Sequence, residues 1–194
     1  MRQAHEREGI STMVIFVAGL VGVGKSAIAR FLAEKFAIPY YSVDEVKKVI
    51  YPQDPDFEKN IRIGIPFKEE TRLKVFRQVA ADFAQLAENH KHLVVDETLH
   101  LRRPRQVLFE AAKTCFGGYV IIWVRADEGV IEQRLRKMDR KDHILTDPLK
   151  MYRSFVKELE PIDEAHIVCE NNASVEEATE GLISLIRKLA SLAQ

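Results

Sequence analysis

Gly19-Leu20-Val21-Gly22-Val23-Gly24-Lys25-Ser26 reads G-x-x-x-x-G-K-S, the spacing of a phosphate-cradling loop. Each position has a physical task. Gly19, Gly22 and Gly24 let backbone N–H groups turn toward a phosphate chain without a Cβ in the way. A helix beginning at the end of the loop aims its positive dipole end at the same anion. Lys25 has the length to reach β- and γ-phosphates, and the Ser26 hydroxyl can ligate Mg²⁺. The run from Gly19 through Ala27 (Gly19, Leu20, Val21, Gly22, Val23, Gly24, Lys25, Ser26, Ala27) is therefore the candidate for holding a nucleoside triphosphate.

Two carboxylates are placed to complete such a site. Asp96 ends the apolar stretch Leu93-Val94-Val95, where a carboxylate serves Mg²⁺ directly or through water. Asp44 falls at the carboxyl end of a short predicted strand, the edge at which open parallel sheets hold their ligands. A group moving phosphate to a hydroxyl needs in-line placement, charge neutralisation and a proton acceptor, and Asp44 is the candidate for the last. Lys47, one helical turn on, is placed to orient the acceptor. Thr98, Arg102 and Arg103, just beyond Asp96, are further acceptor-binding candidates. Arg136 and Arg140 share a helical face and are candidates for stabilising the transferred phosphoryl group, with His143 nearby. Glu97 opens an alternative, an ATPase in which that carboxylate activates water. A GTPase is disfavoured, because no N-K-x-D occurs and Asp96-Glu97-Thr98-Leu99 lacks the glycine of D-x-x-G.

These residues need a scaffold, and its elements are readable. Met13–Ala18 is a short apolar, β-forming run before the loop, and Ala27–Phe36 carries apolar residues at helical spacing after it. Tyr40–Val43 reads as a brief strand, with a helix beginning at Glu45. Pro52, Pro55, Gly64 and Pro66 predict an irregular or partly helical excursion over 51–67. A long helix is predicted over 68–89, a strand over 92–96, a helix over 104–114 and a strand over 119–124. Helices over 129–140 and 148–160 follow, then a strand over 165–169 and a final helix from Ser174. Ser174-Val175-Glu176-Glu177 has the spacing of a capping box. Five apolar strands alternating with helices give an α/β fold, a parallel sheet covered on both faces.

Composition narrows the partners. Lysine plus arginine total 29 and aspartate plus glutamate total 29, so the chain carries no net field to draw in nucleic acid. Nucleic-acid ends thus rank below small metabolites as acceptors. Cys115 and Cys169 form neither a metal spacing nor a disulfide framework. No apolar run approaches the ~20 residues of a membrane span, and residues 1–12 lack the apolar segment of a signal peptide. The expectation is a flexible segment over 1–12 followed by a single domain over 13–194, in the cytoplasm.

The chain resembles the small P-loop kinases of the gluconate kinase, zeta-toxin and polynucleotide 5′-kinase neighbourhood. The resemblance is carried by GLVGVGKS at 19–26, SVDEVKK at 42–48, LVVDETLHLRR at 93–103, IIWVRADEGVIEQRLRKMDR at 121–140, HILTDPLKMY at 143–152 and IVCENNASVEEA at 167–178. It implies a P-loop NTPase fold, Mg-ATP as donor, Asp44 as base toward a hydroxyl, and a lid around 134–147 closing over the phosphates. It also implies that Asn171 and Asn172 lie in the loop that contacts adenine. The reading is an ATP-dependent phosphotransferase acting on a small-molecule hydroxyl. A polynucleotide 5′-hydroxyl kinase, a Glu97-dependent ATPase and a nucleotide-binding module without turnover are the alternatives.

Overall fold

The strongest constraint on the fold is the alternation within three apolar strands. In β1 (Met13–Ala18), Val14, Phe16 and Ala18 belong to one buried cluster, while Ile15 and Val17 belong to another. β3 (His92–Asp96) divides the same way, with Leu93 and Val95 on the first face and Val94 on the second. β4 (Tyr119–Arg125) sends Ile121 to the first and Ile122 and Val124 to the second. A strand apolar on both faces must be covered on both, and it is. The computed structural model describes residues 12–63, 65–137 and 147–191.

β2 (Tyr40–Ser42) and β5 (Ile167–Glu170) complete an all-parallel sheet in the order β2-β3-β1-β4-β5. The first face is covered by α4 (Glu69–Ala87) and α5 (Arg102–Phe116), through residues such as Phe76, Val79, Phe83, Leu108 and Phe109. The second is covered by α1 (Lys25–Phe36), α6 (Glu128–Lys137) and α8 (Val175–Ser191), through Ile28, Leu32, Ile131, Leu135, Leu182 and Ile186. β1 is the central strand, and its helix α1 lies on the opposite face from α5, the helix that follows β3. The chain therefore leaves the neighbouring ends of β1 and β3 in opposite directions. That divergence opens a crevice at the carboxyl edge of the sheet, where Val17 pairs with Asp96.

Several boundaries differ from expectation. The strand before Asp44 is shorter, because α2 (Val43–Ile50) begins early and takes Asp44 into its first turn. Ser42 holds the N-cap position and makes no side-chain cap bond. Residues 51–67 contain a 3₁₀ turn (Tyr51–Gln53) and α3 (Phe57–Ile63). α5 starts at Arg102, so Pro104 lies inside its first turn and both Arg102 and Arg103 are helical. α7 (Pro148–Glu158) is capped by Asp147, whose carboxylate accepts from the Lys150 amide at 3.0 Å. Ser174 accepts from the Glu177 amide at 3.2 Å, the first half of the predicted capping box. Residues 1–11, most of the expected flexible segment, lie outside the described residues, as do Arg140, His143 and most of the expected lid.

One buried arginine holds the crevice loop in shape. Leu99 has φ 54°, a left-handed conformation unusual for a residue with a branched side chain. Arg105, fully buried, donates to the Leu99 carbonyl at 3.3 Å, to the Glu160 carbonyl at 3.2 Å and to the Pro161 carbonyl. The His100 carbonyl in turn accepts from the Glu160 amide at 2.9 Å. Arg105 thus satisfies three carbonyls at once and fixes the strained turn after β3. Arg105→Met keeps the length and removes the donors. It should lower unfolding stability by roughly 2–4 kcal/mol, measured by denaturant titration; a loss too small to resolve would show that the turn holds itself.

Candidate active site

The phosphate loop is built from backbone geometry that only glycine tolerates. Gly24, the residue before α1, has φ 88°, and a Cβ placed there would lie 2.3 Å from Asn171 Nδ2. Gly22 has φ 86°, and a Cβ there would meet Ile131 and Leu135 of α6 at 2.9 Å. Neighbouring elements also lock the loop from behind. The Val23 carbonyl accepts from Asn171 Nδ2 at 2.8 Å and from Arg134 Nη1 at 3.2 Å. The first amides of α1 have no partner within the helix and point toward its N-terminal end.

Asp96 ends β3 on the same sheet face as α1, buried, and its Oδ2 accepts from the Tyr40 hydroxyl at 3.1 Å. Burial and the nearby Asp96 carboxylate push the Tyr40 phenol above its ordinary range, so it remains a donor. The Arg30 guanidinium lies 5.3 Å from the Tyr40 ring centroid and steadies that ring. One hydroxyl, Ser26, and one positioned carboxylate, Asp96, form a donor set suited to Mg²⁺, which takes few protein ligands when phosphates and water complete its shell.

On the other side of the crevice, α2, α4, α7 and the turn after β3 enclose a cavity of about 140 Å³. Lys25 and Val21 of the phosphate loop line it, together with Asp44, Lys47, Glu97 and Thr98. Lys47 Nζ stands 2.8 Å from Asp44 Oδ1 and 2.6 Å from Glu97 Oε2. Burial disfavours its charge, but Asp44 and Glu97 outweigh burial and hold the ammonium protonated well above the usual lysine range. The Asp44 side chain is 63% exposed and the Glu97 side chain 2%. Glu97, the residue an ATPase would need to present to water, is instead buried against Lys47.

The structure therefore brings Lys25, Asp44, Lys47 and Thr98 to one cavity. It does not bring Arg102, Arg103 or Arg136 there. Because α5 begins at Arg102, its buried stripe runs through Arg105, Leu108, Phe109 and Ala112, leaving the two preceding arginines outside. Arg102 pairs with Asp163 and Arg103 with Glu69 and Glu70 at 3.0 and 3.4 Å, all on the exposed surface. Arg136 is exposed and pairs with Glu132 at 3.1 Å. Arg134, two residues earlier and hence about 200° around the helix, is the arginine of α6 that reaches the loop. Asn171 and Asn172 both lie in the loop after β5. Their side chains are engaged with the protein, Asn171 with Val23 and Asn172 with the Asp127 amide at 2.7 Å.

Sequence reasoning missed a polar network in the cavity wall. Arg72, buried on α4, donates to the Phe67 carbonyl at 2.6 Å, contacts His100 Nε2 at 2.9 Å and donates to Glu158 of α7 at 3.0 Å. A signal existed: Arg72 is in register with Phe76, Val79 and Phe83 on the core stripe of its helix. Arginine has no acceptor, so the contact assigns His100 Nε2 as the acceptor and puts the ring proton on Nδ1. Tyr51, Phe67, Met151 and Phe155, which the sequence reading did not single out, also line the cavity.

Known proteins bear on this arrangement. A family model described as an AAA domain matches residues 15–147. The chain belongs to the AAA domain family. That match spans the phosphate loop, α2, the turn after β3 and α6. No match is found among curated proteins. Among solved structures, an unliganded sugar kinase from Janibacter sp. HTCC2649 is 22% identical, covers 94% of this chain and 99% of its own, and superposes with a TM-score of 0.74. A gluconokinase from Sinorhizobium meliloti 1021 is 20% identical over 96% and 99%, with a TM-score of 0.68. An APS kinase from Mycobacterium tuberculosis, in complex with AMPPNP and APS, is 16% identical over 91% and 98%, with a TM-score of 0.61. These likenesses establish the fold, the α/β P-loop NTPase fold that these small kinases share.

The network makes stability pH-dependent. Burial pushes the His100 pKa below its ordinary value; Arg72 and Lys47 act in the same direction, while Glu158 and Glu97 oppose. Below about pH 6.5 the unfolded chain binds a proton that folded His100 resists, so stability falls as pH drops through that range. His92, also lowered by burial, adds a loss of the same sign. His100→Gln retains an acceptor for Arg72 without titrating. Its melting temperature should fall less between pH 7.5 and pH 5.5 than that of the unaltered protein; an equal fall would show that His100 is not held neutral.

Proposed function

We propose that the chain is an ATP-dependent phosphotransferase that moves the γ-phosphoryl group of Mg-ATP to a hydroxyl of a small metabolite. The observation that carries this reading is the shared cavity: Lys25 of the phosphate loop and the Asp44–Lys47 pair of α2 line the same space. A nucleotide-binding module needs only the loop. A cavity opening on the loop lysine, with a carboxylate in its wall, provides a place for a second substrate. The similarity to a sugar kinase and a gluconokinase, and to an APS kinase in complex with AMPPNP and APS, supports the same donor and acceptor classes.

In the proposed reaction the phosphate loop, with Lys25, holds the β- and γ-phosphates from one side of the crevice. The acceptor hydroxyl enters from the cavity. Its oxygen bonds to the γ-phosphorus as the bond from that phosphorus to the bridging oxygen breaks, and ADP leaves with the electron pair. The hydroxyl proton passes to the Asp44 carboxylate. Lys47 orients Asp44 through their 2.8 Å ion pair, with Glu97 fixing the ammonium from behind. Ser26 and Asp96 would hold Mg²⁺, which when bound supplies charge neutralisation across the phosphates. Arg134, beside the loop, is the α6 residue placed to meet charge on the transferred group. Closure around 134–147 and adenine contact by Asn171 and Asn172 belong to the same proposal. So do a single domain over 13–194 and a cytoplasmic setting; among the described residues, no helix is long and apolar enough to cross a membrane.

Asp44→Asn keeps the shape of the side chain and removes the proton acceptor. Phosphoryl transfer should fall by roughly 10²-fold or more, while the affinity for a non-hydrolysable ATP analogue, measured by calorimetry, stays within about threefold. Transfer at an undiminished rate would remove Asp44 from the role of base.

A further inference from the structure

The walls of the acceptor cavity describe what it accepts. Its apolar lining comes from Tyr51, Pro66, Phe67, Phe76, Met151 and Phe155. Tyr51 and Phe67 stack with centroids 4.1 Å apart and an interplanar angle of 26°, while the His100 and Phe155 rings stand 4.4 Å apart. These two aromatic pairs come from different parts of the chain, one from the region between α2 and α4 and the other from the turn after β3 and α7. Burial keeps Tyr51 a neutral phenol, with its pKa pushed up to about 12.

The charged groups of the wall are already matched. Lys47 is held by Asp44 and Glu97, Lys48 by Glu45 at 2.8 Å, and Arg72 by Glu158, the Phe67 carbonyl and His100. Lys25 belongs to the donor phosphates. Glu97 Oε2, paired with Lys47 at 2.6 Å, makes no further hydrogen bond among the described residues. Beside the apolar residues the wall carries Glu97 Oε2, the Asp44 carboxylate, the Thr98 hydroxyl and the His100 ring, and the larger share of its surface is apolar. A polyol or sugar acid brings a hydroxyl on nearly every carbon, and each one buried without a partner costs roughly tenfold in affinity or more. A carboxylate on the acceptor would find no cation in the wall that is not already paired or committed to the donor.

Resting on the phosphotransferase reading, we infer that the acceptor carries its hydroxyl on a planar, largely apolar body: an aromatic or heteroaromatic alcohol, not a polyol or sugar acid. Its ring packs among the aromatic pairs, a single donor group meets Glu97, and its hydroxymethyl group points to Lys25 and Asp44. The transfer itself is the one described above, giving the phosphate ester and ADP.

The full chain with Mg-ATP is to be assayed against benzyl alcohol, 4-(hydroxymethyl)pyridine, gluconate and glycerol. Ester formation is followed by mass spectrometry, and binding by ligand-observed NMR in the presence of a non-hydrolysable ATP analogue. The kcat/KM for an aromatic alcohol should exceed those for gluconate and glycerol at least tenfold. Phe155→Leu, which keeps apolar volume and removes the aromatic face, should lower the aromatic value roughly three- to tenfold and leave the affinity for the ATP analogue unchanged. Transfer to gluconate or glycerol at an equal or higher kcat/KM overturns the inference and leaves the phosphotransferase standing. If no acceptor is phosphorylated, the phosphotransferase reading fails and binding decides the inference. Saturable binding of an aromatic alcohol that Phe155→Leu weakens then upholds it, and no such binding overturns it.

Discussion

The arrangement depends on one ammonium group. Lys47 stands between Asp44 and Glu97, with its side chain 15% exposed. A charge taken that far from water is costly unless paired, and the pairing fixes α2 against the turn after β3. Lys47 and Asp44 belong to α2, Glu97 to the turn after β3, and that turn is pinned by Arg105 to the segment after α7. The two contacts are unequal. Glu97 is almost fully buried, so its attraction for Lys47 is little screened, whereas Asp44 is largely exposed and its attraction is weakened by solvent. The stronger contact anchors the lysine, and the weaker one leaves the Asp44 side chain largely exposed. A single buried cation thus meets two carboxylates in different settings, Glu97 buried and Asp44 largely exposed.

The sheet supplies the frame in which this matters. The order β2-β3-β1-β4-β5 opens the crevice between β1 and β3, so the phosphate loop and the turn after β3 are neighbours although they are far apart in sequence. The loop's own shape depends on parts of the chain beyond it. Asn171 after β5 and Arg134 of α6 take the Val23 carbonyl, and α6 packs directly against Gly22. Elements from the second half of the chain therefore hold the donor loop, while α2, α4 and α7 enclose the space opposite.

Much of this was legible in the sequence, for reasons that differ by residue. The phosphate loop could be read because glycine positions, lysine and serine at fixed spacing leave few alternatives. β1, β3 and β4 could be read because their apolar runs are buried on both faces, and all five strands were found within a few residues of their observed bounds. The arginines could not. A charged side chain on a helix is assigned to a face only when its phase is known, and a helix start two residues earlier than expected moves Arg102 and Arg103 to the outside. Arg134 and Arg136 differ by half a helical turn, which decides between the phosphate loop and solvent. Arg72 was overlooked although it interrupts an apolar stripe, a pattern that marks a buried charge with partners elsewhere. The aromatic wall was not read for another reason: Phe67, Phe76 and Met151 are buried, and sequence cannot tell a residue facing the core from one facing a small cavity.

The central claim is that donor and acceptor meet where Lys25 and the Asp44–Lys47–Glu97 group share one cavity. The most direct test is a crystal structure of the full chain with Mg²⁺ and a non-hydrolysable ATP analogue. The account predicts the terminal phosphate at the mouth of that cavity, in hydrogen-bonding reach of Lys25, with Asp44 on its far side across a gap wide enough for one hydroxyl. A terminal phosphate turned away from the cavity, with Asp44 and Lys47 walled off from it by protein, would contradict it.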